Sequence, residues 1–299
     1  MSAPVKIMPP IDVTYAKLTA SNVAETEYGD YAAGTTYAAG DRVIVPATHD
    51  VWESLANANT GNTPASSPTW WARVGPTNRM AMVDTSVSTQ TTRAGGIDVT
   101  VTPGETIDTL ALLNINAASV RVRMTDPTDG VVHDHTSDMI APPSESEYFA
   151  WFFEPITRID YLVATLPAYG SADVRVELID TGTAACGVMA LGLSRKIGEG
   201  TLAGARTSIT DYSGKERDTW GQYQIVERGY SNRASISTVV KSNMVDPVKK
   251  LLASRRARPT LCIASDQYSS LVLFGLISFD VTIPYPTYAM CNLEIEEII

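Results

Sequence analysis

The sequence predicts a mainly β protein with β-sandwich domains, one short helix near the C-terminus and a small aromatic-rich β module near the N-terminus. Short runs rich in Val, Ile, Leu and Thr recur along the chain, and clusters of Gly, Pro, Asn and Asp separate them. In the last run, Leu293 and Ile295 alternate with Asn292, Glu294 and Glu296. A period near two indicates a strand with one buried face and one acidic, solvated face. We therefore expect the chain to end on a strand that is paired within a sheet.

The composition is that of an ordinary globular protein and argues against two classes of function. Of 299 residues, 23 are Lys or Arg and 33 are Asp or Glu, which gives a net charge of −10. General binders of nucleic acid or of anionic membranes need clustered basic charge, so neither class is expected. The sequence shows no apolar signal segment at its start and no run near the ~18 apolar residues of a membrane helix. We expect a soluble chain made in a cytosol, without membrane insertion.

Changes in amino-acid composition and patterning divide the chain into four predicted parts. Residues 1–25, with Pro4, Pro9 and Pro10, are expected to form an extended arm that lies along a neighbouring surface. Residues 26–77 alternate very short strands with turns and are dense in aromatic residues, which predicts a small β module. Residues 78–185 alternate cleanly between frequent turns, which predicts a β-sandwich of the jelly-roll or immunoglobulin kind. Residues 186–299 are predicted to be a β-rich C-terminal domain.

This C-terminal part contains a polar stretch and a helix. Residues 211–221 have no apolar stripe to fix them, so we predict a loop that is either mobile or ordered by a partner chain. A helix is predicted over 246–257, because Asp246 suits an N-cap, Pro247 suits the first helical position, and an apolar stripe begins at Val248. Its later turns are crowded with basic residues, namely Lys249, Lys250, Arg255, Arg256 and Arg258. Such charges match the negative end of the helix dipole, and they also offer a docking point for the acidic face of an identical subunit.

The aromatic-rich module carries a distinctive pattern. Its parts are Tyr37-x-x-Gly40-Asp41-x-Val43, Trp52-Glu53-Ser54, Asn59-Thr60-Gly61-Asn62-x-Pro64 and the pair Trp70-Trp71. This pattern resembles the small chitin-binding type-3 and cellulose-binding modules. The resemblance implies a tight turn at Gly40-Asp41 and sugar stacking on aromatic rings, with Tyr37, Trp52, Trp70 and Trp71 as the candidate carbohydrate-binding residues. The alternative is that these Trp residues are only the core of the module. Because neighbouring residues on a strand face opposite sides, one of Trp70 and Trp71 is expected to be exposed.

The sequence shows no signature of an enzyme. The G-x-S-x-G, P-loop, H-E-x-x-H and dinucleotide-binding patterns are absent. His133 and His135 would share one face of a strand, but no third metal ligand is visible, so we expect a surface pair. Cys186, Cys262 and Cys291 are far apart and lie in apolar contexts, which predicts buried thiols instead of disulfides or a zinc site. We predict no catalytic residues, no metal and no cofactor.

Four further stretches bear on function, namely residues 78–82 (NRMAM), 149–156 (FAWFFEPI), 209–216 (ITDYSGKE) and 226–233 (VERGYSNR). With them, residues 78–299 resemble structural proteins of bacteriophage tails, of the tail-tip (baseplate), collar or fibre-adaptor type. The resemblance implies a virion subunit that forms a closed ring with copies of itself, often six, and that contacts other tail proteins.

A ring needs an interface with two different sides. We predict that a basic set and an acidic set meet across a subunit boundary, namely Arg255, Arg256 and Arg258 with Glu294, Glu296 and Glu297. Two functions then compete. The first is a tail subunit whose module touches host-surface polysaccharide, and the second is a free-standing carbohydrate-binding protein without a virion role. A hydrolase ranks last, because it would need a cleft with perturbed carboxylates.

Overall fold

The chain folds into three stacked β-sheets that carry a small β module. The computed structural model describes residues 4–141, 158–217, 219–265, 268–284 and 286–298. These residues are mainly β, with several sheets and one short α-helix near the C-terminus, which confirms the predicted fold class. The stretch 149–156, which contributes to the bacteriophage resemblance, lies outside the described residues, as does Ile299.

Two of the sheets form a sandwich. Their strands are β2 (Leu18–Ser21), β8 (Thr91–Ala94), β9 (Ile97–Val101), β10 (Ile107–Asn116), β11 (Ser119–Asp126), β12 (Gly130–Asp138), β13 (Tyr161–Tyr169), β14 (Asp173–Ile179) and β15 (Thr183–Gly192). One sheet has the order β13-β10-β15-β8 and the other β12-β11-β14-β9-β2. Alternation along β11 buries Val120, Val122 and Met124 in an aliphatic core shared by both sheets, and the residues between them are partly exposed.

Strand β15 has almost no exposed residue, because both of its faces are covered. Met189 and Leu191 belong to the sandwich core, whereas Val188 and Ala190 pack with Phe274 of the third sheet. A continuous apolar run is what a strand buried on both faces requires. The predicted domain boundary between residues 185 and 186 was therefore misplaced, since it falls inside this strand.

The third sheet has seven strands, namely β1 (Val5–Met8), β16 (Arg195–Ile197), β17 (Arg206–Asp211), β20 (Tyr230–Lys241), β21 (Thr260–Ile263), β22 (Val272–Thr282) and β23 (Tyr288–Glu297). Their order is β16-β1-β21-β22-β23-β20-β17. The sheet curls, because the chain that leaves β16 hydrogen-bonds to β20 through the Glu199 and Leu202 amides. Gly198 has φ +71°, and a Cβ there would overlap Thr238 of β20, so this close approach requires glycine. Strand β23 buries Leu293 and Ile295, as predicted.

The N-terminal residues form strands of two sheets and not the extended arm predicted over 1–25. Strand β1 lies between β16 and β21, and Val5, Ile7 and Met8 are fully buried. Strand β2 then joins the five-stranded sheet beside β9. The prediction of a free arm over 1–25 gave too much weight to the prolines, which flank β1 without interrupting it. This segment therefore ties the third sheet to the sandwich.

The helix is shorter than the predicted 246–257. Helix α1 spans Val245–Ala253 and follows a 3₁₀ turn, Ser242–Met244. Met244 is the N-cap, and Asp246 lies in the first turn, where its charge still favours the helix dipole. The Ser254 hydroxyl donates to the Leu251 carbonyl at 2.6 Å as the helix ends. The three arginines of the predicted interface therefore lie beyond the helix and not on it.

The remaining elements are the module and a two-stranded ribbon. The module contains β3 (Thr36–Tyr37), β4 (Arg42–Val45), β5 (Asp50–Ser54), β6 (Asn59–Thr60) and β7 (Trp71–Pro76), with a 3₁₀ turn at Pro64–Ser66. The ribbon pairs β18 (Gly214–Arg217) with β19 (Tyr223–Val226), where the sequence predicted a polar loop. Two more 3₁₀ turns span Ala81–Val83 and Ser269–Leu271. No helix among the described residues has the length and apolar character needed to cross a membrane.

Candidate functional site

Two of the four candidate sugar-binding residues form the core of the module. Trp71 is 2% exposed, and its ring meets Tyr37 edge-on with centroids 5.2 Å apart. Tyr31 meets Trp71 in the same way at 5.9 Å. The Trp71 Nε1 donates to the Asn62 carbonyl at 2.8 Å, and the Tyr37 hydroxyl accepts from the Ala32 amide. Trp71 and Tyr37 therefore offer no ring face to a ligand and act as the miniature core.

The motif residues around this core form turns. Gly40 has φ +90°, and the Asp41 carboxylate accepts from the Ala38 amide at 2.7 Å, which gives the tight turn expected at Gly40-Asp41. Asn59 is fully buried and donates to the Ser54 hydroxyl at 3.0 Å. Hydrogen-bonded turns thus fix the strands of a unit that has few aliphatic residues.

Trp52 and Trp70 are the candidate rings that remain partly exposed. Both pack against the aromatic core without being buried in it. Trp70 lies in the turn before β7 and is partly buried, whereas Trp71 is the buried first residue of that strand, so their difference does not come from alternation along one strand. The Trp52 indole Nε1 is shielded from solvent and has no hydrogen-bond partner in the described part of the chain. The geometry narrows the candidate sugar-binding set to Trp52 and Trp70.

Tyr28 is an aromatic residue of the module that the sequence motif did not single out. Its hydroxyl accepts from Arg42 at 3.2 Å, and the Arg42 guanidinium also lies 5.9 Å from the ring centroid. Arg42 in turn donates to the Glu53 carboxylate at 2.8 Å. Tyr28 lies outside the recognised sequence pattern, so the spacing of the motif does not identify it as a candidate ligand-binding residue.

A cluster of polar side chains, the joint, connects the module to the sandwich. It consists of Tyr15, Glu25, His49, Thr77 and Arg79. The Glu25 carboxylate lies 2.9 Å from His49 Nδ1 and accepts from the Thr77 hydroxyl at 2.5 Å. The Tyr15 ring stacks on His49 with centroids 3.6 Å apart. Arg79 donates to the Tyr15 hydroxyl at 3.2 Å.

The hydrogen-bonded centre of the joint, Glu25, His49 and Thr77, is largely shielded from water. The side chains of Glu25 and His49 are 16% and 14% exposed, and Thr77 is fully buried. Charge-assisted hydrogen bonds in such surroundings are stronger than neutral or exposed ones. Sequence patterns do not indicate this cluster, because its members are spread from residue 15 to residue 79 and only folding brings them together. The joint holds the module at a defined place on the sheets.

Two of the predicted acidic interface residues, Glu294 and Glu296, lie on the side of the third sheet that faces away from helix α1. Helix α1 packs on the face that carries Leu293 and Ile295. Alternation therefore turns Glu294 and Glu296 away from the helix. No carboxylate of the described residues lies within ion-pair distance of Arg255, Arg256 or Arg258. The structure does not bring the basic and acidic sets together within one chain.

Two of the three acidic residues already have partners within the chain. Glu296 lies 3.6 Å from the Arg233 guanidinium. Glu297 accepts from the Asn232 side chain at 2.6 Å and from its amide at 3.3 Å. Glu294 is exposed, and no ion pair among the described residues includes it. Of the acidic set, Glu294 is thus the residue most available for an intersubunit contact.

Glu297 lines a cavity between the sandwich and the third sheet. The cavity has a volume of about 650 Å³, and Asp160, Tyr161, Tyr230 and Arg233 also line it. Burial raises the pKa of Glu297, and the hydrogen bonds from Asn232 offset part of that rise. A carboxyl group of this kind is one condition for a hydrolase. The Glu297 carboxylate, however, already accepts hydrogen bonds from Asn232 of the same chain.

The histidine pair lies on edge strand β12. The rings of His133 and His135 are 6.5 Å apart, and burial lowers the pKa of His133. Asp134 between them is held by Arg121 and Arg123, whose guanidinium groups keep its pKa well below the usual range. The described residues contain no group of three or more His, Cys, Asp or Glu side chains that could hold a metal ion. His135 is exposed, whereas His133 is partly buried and its Nε2 is shielded from solvent without a hydrogen-bond partner among the described residues.

The three cysteines are buried, as the sequence predicted. No disulfide joins them. Burial raises the pKa of Cys186 and Cys262 to about 12 and that of Cys291 to about 11. Their thiols therefore remain protonated and unreactive at neutral pH.

No protein-family model matches this chain, and no curated protein is significantly similar to it.

Proposed function

We propose that this chain is a structural subunit of a bacteriophage tail, at the tail tip, collar or fibre adaptor, and that its module contacts polysaccharide on the host surface. The proposal rests on the sequence resemblance of residues 78–299 to tail proteins and of residues 28–75 to carbohydrate-binding modules. It places the chain in the virion, after synthesis in the cytoplasm of the bacterial host. It requires no cofactor, no metal and no contact with nucleic acid.

The observation that best supports this function is the joint. Glu25, His49 and Thr77 fix the module to the sheets through shielded, charge-assisted bonds. Trp52 and Trp70 lie outside these contacts and keep part of their rings exposed. A structural subunit that displays a binding module needs two separate sets of residues. One set anchors the module to the subunit, and the other contacts the ligand. Exposed aromatic rings suit sugars, because the apolar face of a pyranose stacks on them.

We propose that copies of the chain associate in a ring through the basic and acidic sets. The arginines that follow helix α1 lack a carboxylate partner among the described residues, and Glu294 lies on the side of the sheet that faces away from helix α1. Such a placement suits a head-to-tail interface, in which one side of a subunit meets the other side of the next. Charge reversal at Arg255 and Arg256 should weaken association, and light scattering at two salt concentrations measures it. Unchanged association would reject this pairing.

Binding to polysaccharide is tested by retention of the purified chain on insoluble chitin and cellulose. Trp52→Ala and Trp70→Ala should each reduce retention about five- to tenfold, since stacking on one ring contributes on the order of 1–1.5 kcal/mol. Leu55→Ala is the matched control, because Leu55 is an exposed apolar residue of the same module. Equal retention of all variants, or none by the wild type, would remove glycan binding from the proposal.

Location in a virion is tested separately. An electron-microscopy label on this chain, in purified phage particles, should appear at the tail tip, collar or fibre attachment. The alternative function, a free-standing carbohydrate-binding protein, predicts a monomer that is retained on polysaccharide and is absent from particles. The two functions therefore differ in both measurements.

A further inference from the structure

The chain between β17 and β20 forms a projecting arm, residues 212–229. Strands β17 and β20 begin a two-stranded ribbon within the third sheet, and β18 and β19 continue it beyond the sheet. The Tyr212 amide donates to the Gly229 carbonyl at 3.2 Å where the two halves join. Of the described residues in the arm, all but Ser213 and Gly214 are exposed. Neither face of the distal ribbon therefore packs on the rest of the chain.

The arm and its base expose large apolar side chains. Ile225 is 67% exposed, Tyr223 is 61% exposed, and Trp220 near the tip is 88% exposed. The others with at least 44% exposure are Ile209, Tyr212, Val226 and Tyr230. Tyr223 and Ile225 are two residues apart and share one face of the ribbon with Lys215 and Arg217. Arg217 lies over the Tyr223 ring at 4.4 Å and leaves most of that ring open.

This apolar surface is as large as one side of a stable interface. A large aromatic side chain buries roughly 150–250 Å² when it is covered. Summed over both faces of the arm and its base, seven large side chains, each about half exposed or more, present on the order of 800 Å², the area that one partner contributes to a standard interface. The largest apolar patch of a typical monomer is only about 300–600 Å². An isolated two-stranded ribbon is also only marginally stable in water, so a covering surface would stabilise the arm.

The charge of the arm favours an identical chain as the partner. Lys215, Arg217 and Arg228 balance Glu216, Asp218 and Glu227, so the arm is neutral, whereas the whole chain carries −10. A neutral arm approaches an acidic copy without the repulsion that two acidic bodies exert on each other. A basic partner, in contrast, would find no excess of negative charge on the arm to recognise.

The opposite end of the same ribbon carries a matching recess. A groove of about 640 Å³ lies where the chain enters β17, and Leu202, Ala203, Ala205, Ala264, Tyr268 and Leu271 line it. Its volume has room for more than one large ring, because small residues such as Ala203, Ala205 and Ala264 make up part of the lining. At about 3.3 Å per residue, the arm tip lies roughly 40 Å along the ribbon from this groove. The arm of one chain therefore does not fill its own groove.

We infer that the arm of one subunit inserts its apolar face and tip into the groove, lined by Leu202, Ala203 and Leu271, of a neighbouring copy of this chain. A projection at one end and a recess at the other make a head-to-tail contact, which closes into a ring if the rotation between subunits permits. The inference rests on the proposed ring subunit and names a second contact for it, distinct from the basic and acidic sets. Of the two alternatives for the polar stretch 211–221, a mobile loop or one ordered by a partner chain, the inference favours the second.

Cysteine cross-linking between two full-length variants tests the contact. Ile225→Cys and Ala203→Cys are purified separately, mixed and oxidised. A disulfide-linked dimer should form in the mixture, because each variant supplies one half of the contact. The native thiols are buried, so they do not compete. Val131→Cys replaces Ile225→Cys in the control mixture, since Val131, on strand β12, is also more than half exposed. The inference is overturned if the two mixtures cross-link to the same extent.

Association in solution provides the second measurement. Light scattering of the wild type should give a mass above the 32.2 kDa of one chain, rising with concentration. The double variant Tyr223→Asp/Ile225→Asp should lower association at least tenfold, and Val131→Asp should not. Association that survives in the double variant, or a wild type that stays monomeric at all concentrations, overturns the arm contact. The labelled particles decide the tail location independently, so failure of the arm contact and failure of the proposed function are distinguishable.

Discussion

The stacked sheets and the module reach stability in different ways. The sheets bury an aliphatic core between layers, and β15 is covered on both faces by other parts of the chain. The module has a small buried cluster of Tyr37, Val43 and Trp71, with Ile44 and Val51 also buried, and it relies on hydrogen-bonded turns. A layered core distributes stability over many side chains, whereas a small module concentrates it in a few.

This difference bears on function. In the module, burial removes Tyr37 and Trp71 from the four candidate rings, so Trp52 and Trp70 are the members of that set whose side chains stay partly exposed. In the sheets, the core needs no aromatic surface from the exterior, so the exposed rings of the arm at 212–229 are not required for folding. Apolar groups left exposed by a complete core indicate contact with another molecule.

The largest expected effect is in the layer between the sandwich and the third sheet. Phe274→Ala should lower the free energy of unfolding by about 3–5 kcal/mol, because it leaves a cavity where Val188 and Ala190 pack. Denaturant unfolding measures the change. Phe279→Ala is the matched control and should have a smaller effect, because Phe279 is only partly buried. Equal losses for the two variants would show that this layer is not tightly packed.

The next effect should be local to the module. Trp71→Ala removes its largest core side chain, at a cost of about 3–5 kcal/mol, which is comparable to what so small a unit can supply. Hydrogen exchange should then show loss of amide protection in residues 36–76, with the sheets unchanged. Trp70→Ala is the control, because this ring is only partly buried. Simultaneous loss of protection in the sandwich would mean that the two regions unfold as one unit.

The sequence predicted those parts of the fold that depend on local patterning. The alternation at Leu293 and Ile295 placed β23 correctly, and the Gly40-Asp41 pattern placed a turn. It did not predict that β1 would be an inner strand, because pairing with β16 and β21 depends on residues almost 200 positions or more away. The predicted helix is too long at its C-terminal end. The basic residues after Ala253 have the charge that favours a helix C-terminus, but they lie beyond helix α1.

The candidate sites show the same limit. Spacing identified Trp52, Trp70 and Trp71 as a set, but only the folded structure separates the buried ring from the partly exposed ones. The stretch 211–221 is polar and has no apolar alternation of its own, which predicts a loop. The apolar residues of the ribbon, Tyr223 and Ile225, lie only in its second strand. Long-range clusters such as the joint leave no periodic signal in a single sequence.

The joint couples the two regions, so its removal should produce an intermediate effect. Glu25→Gln replaces a charged acceptor of the bonds from His49 and Thr77 with a neutral one, which should cost about 1–2 kcal/mol. Hydrogen exchange at residues 45–54 and 76–80 should quicken without unfolding of the module. Glu53→Gln, which breaks the exposed pair with Arg42, should change stability by less than about 1 kcal/mol. Similar results for both variants would mean that the joint does not hold the module on the sheets.

The smallest expected effect concerns pH and the rim of the cavity between the sheets. Burial raises the pKa of Glu297 above its ordinary 4.5, so the protonated form is favoured in the folded chain. Its contribution to stability is complete below pH 4.5 and is lost as the pH rises through the higher pKa of the folded state. Glu297→Gln stays neutral, so it should lose this part of the pH dependence and become relatively more stable than the wild type above that range. Denaturant unfolding from pH 4 to pH 8 measures it, with Glu294→Gln, on the exposed face of the same strand, as the control. A Glu297→Gln profile that parallels the wild type would mean that the carboxylate is solvated, and the cavity would then lose the one feature that a hydrolase needs.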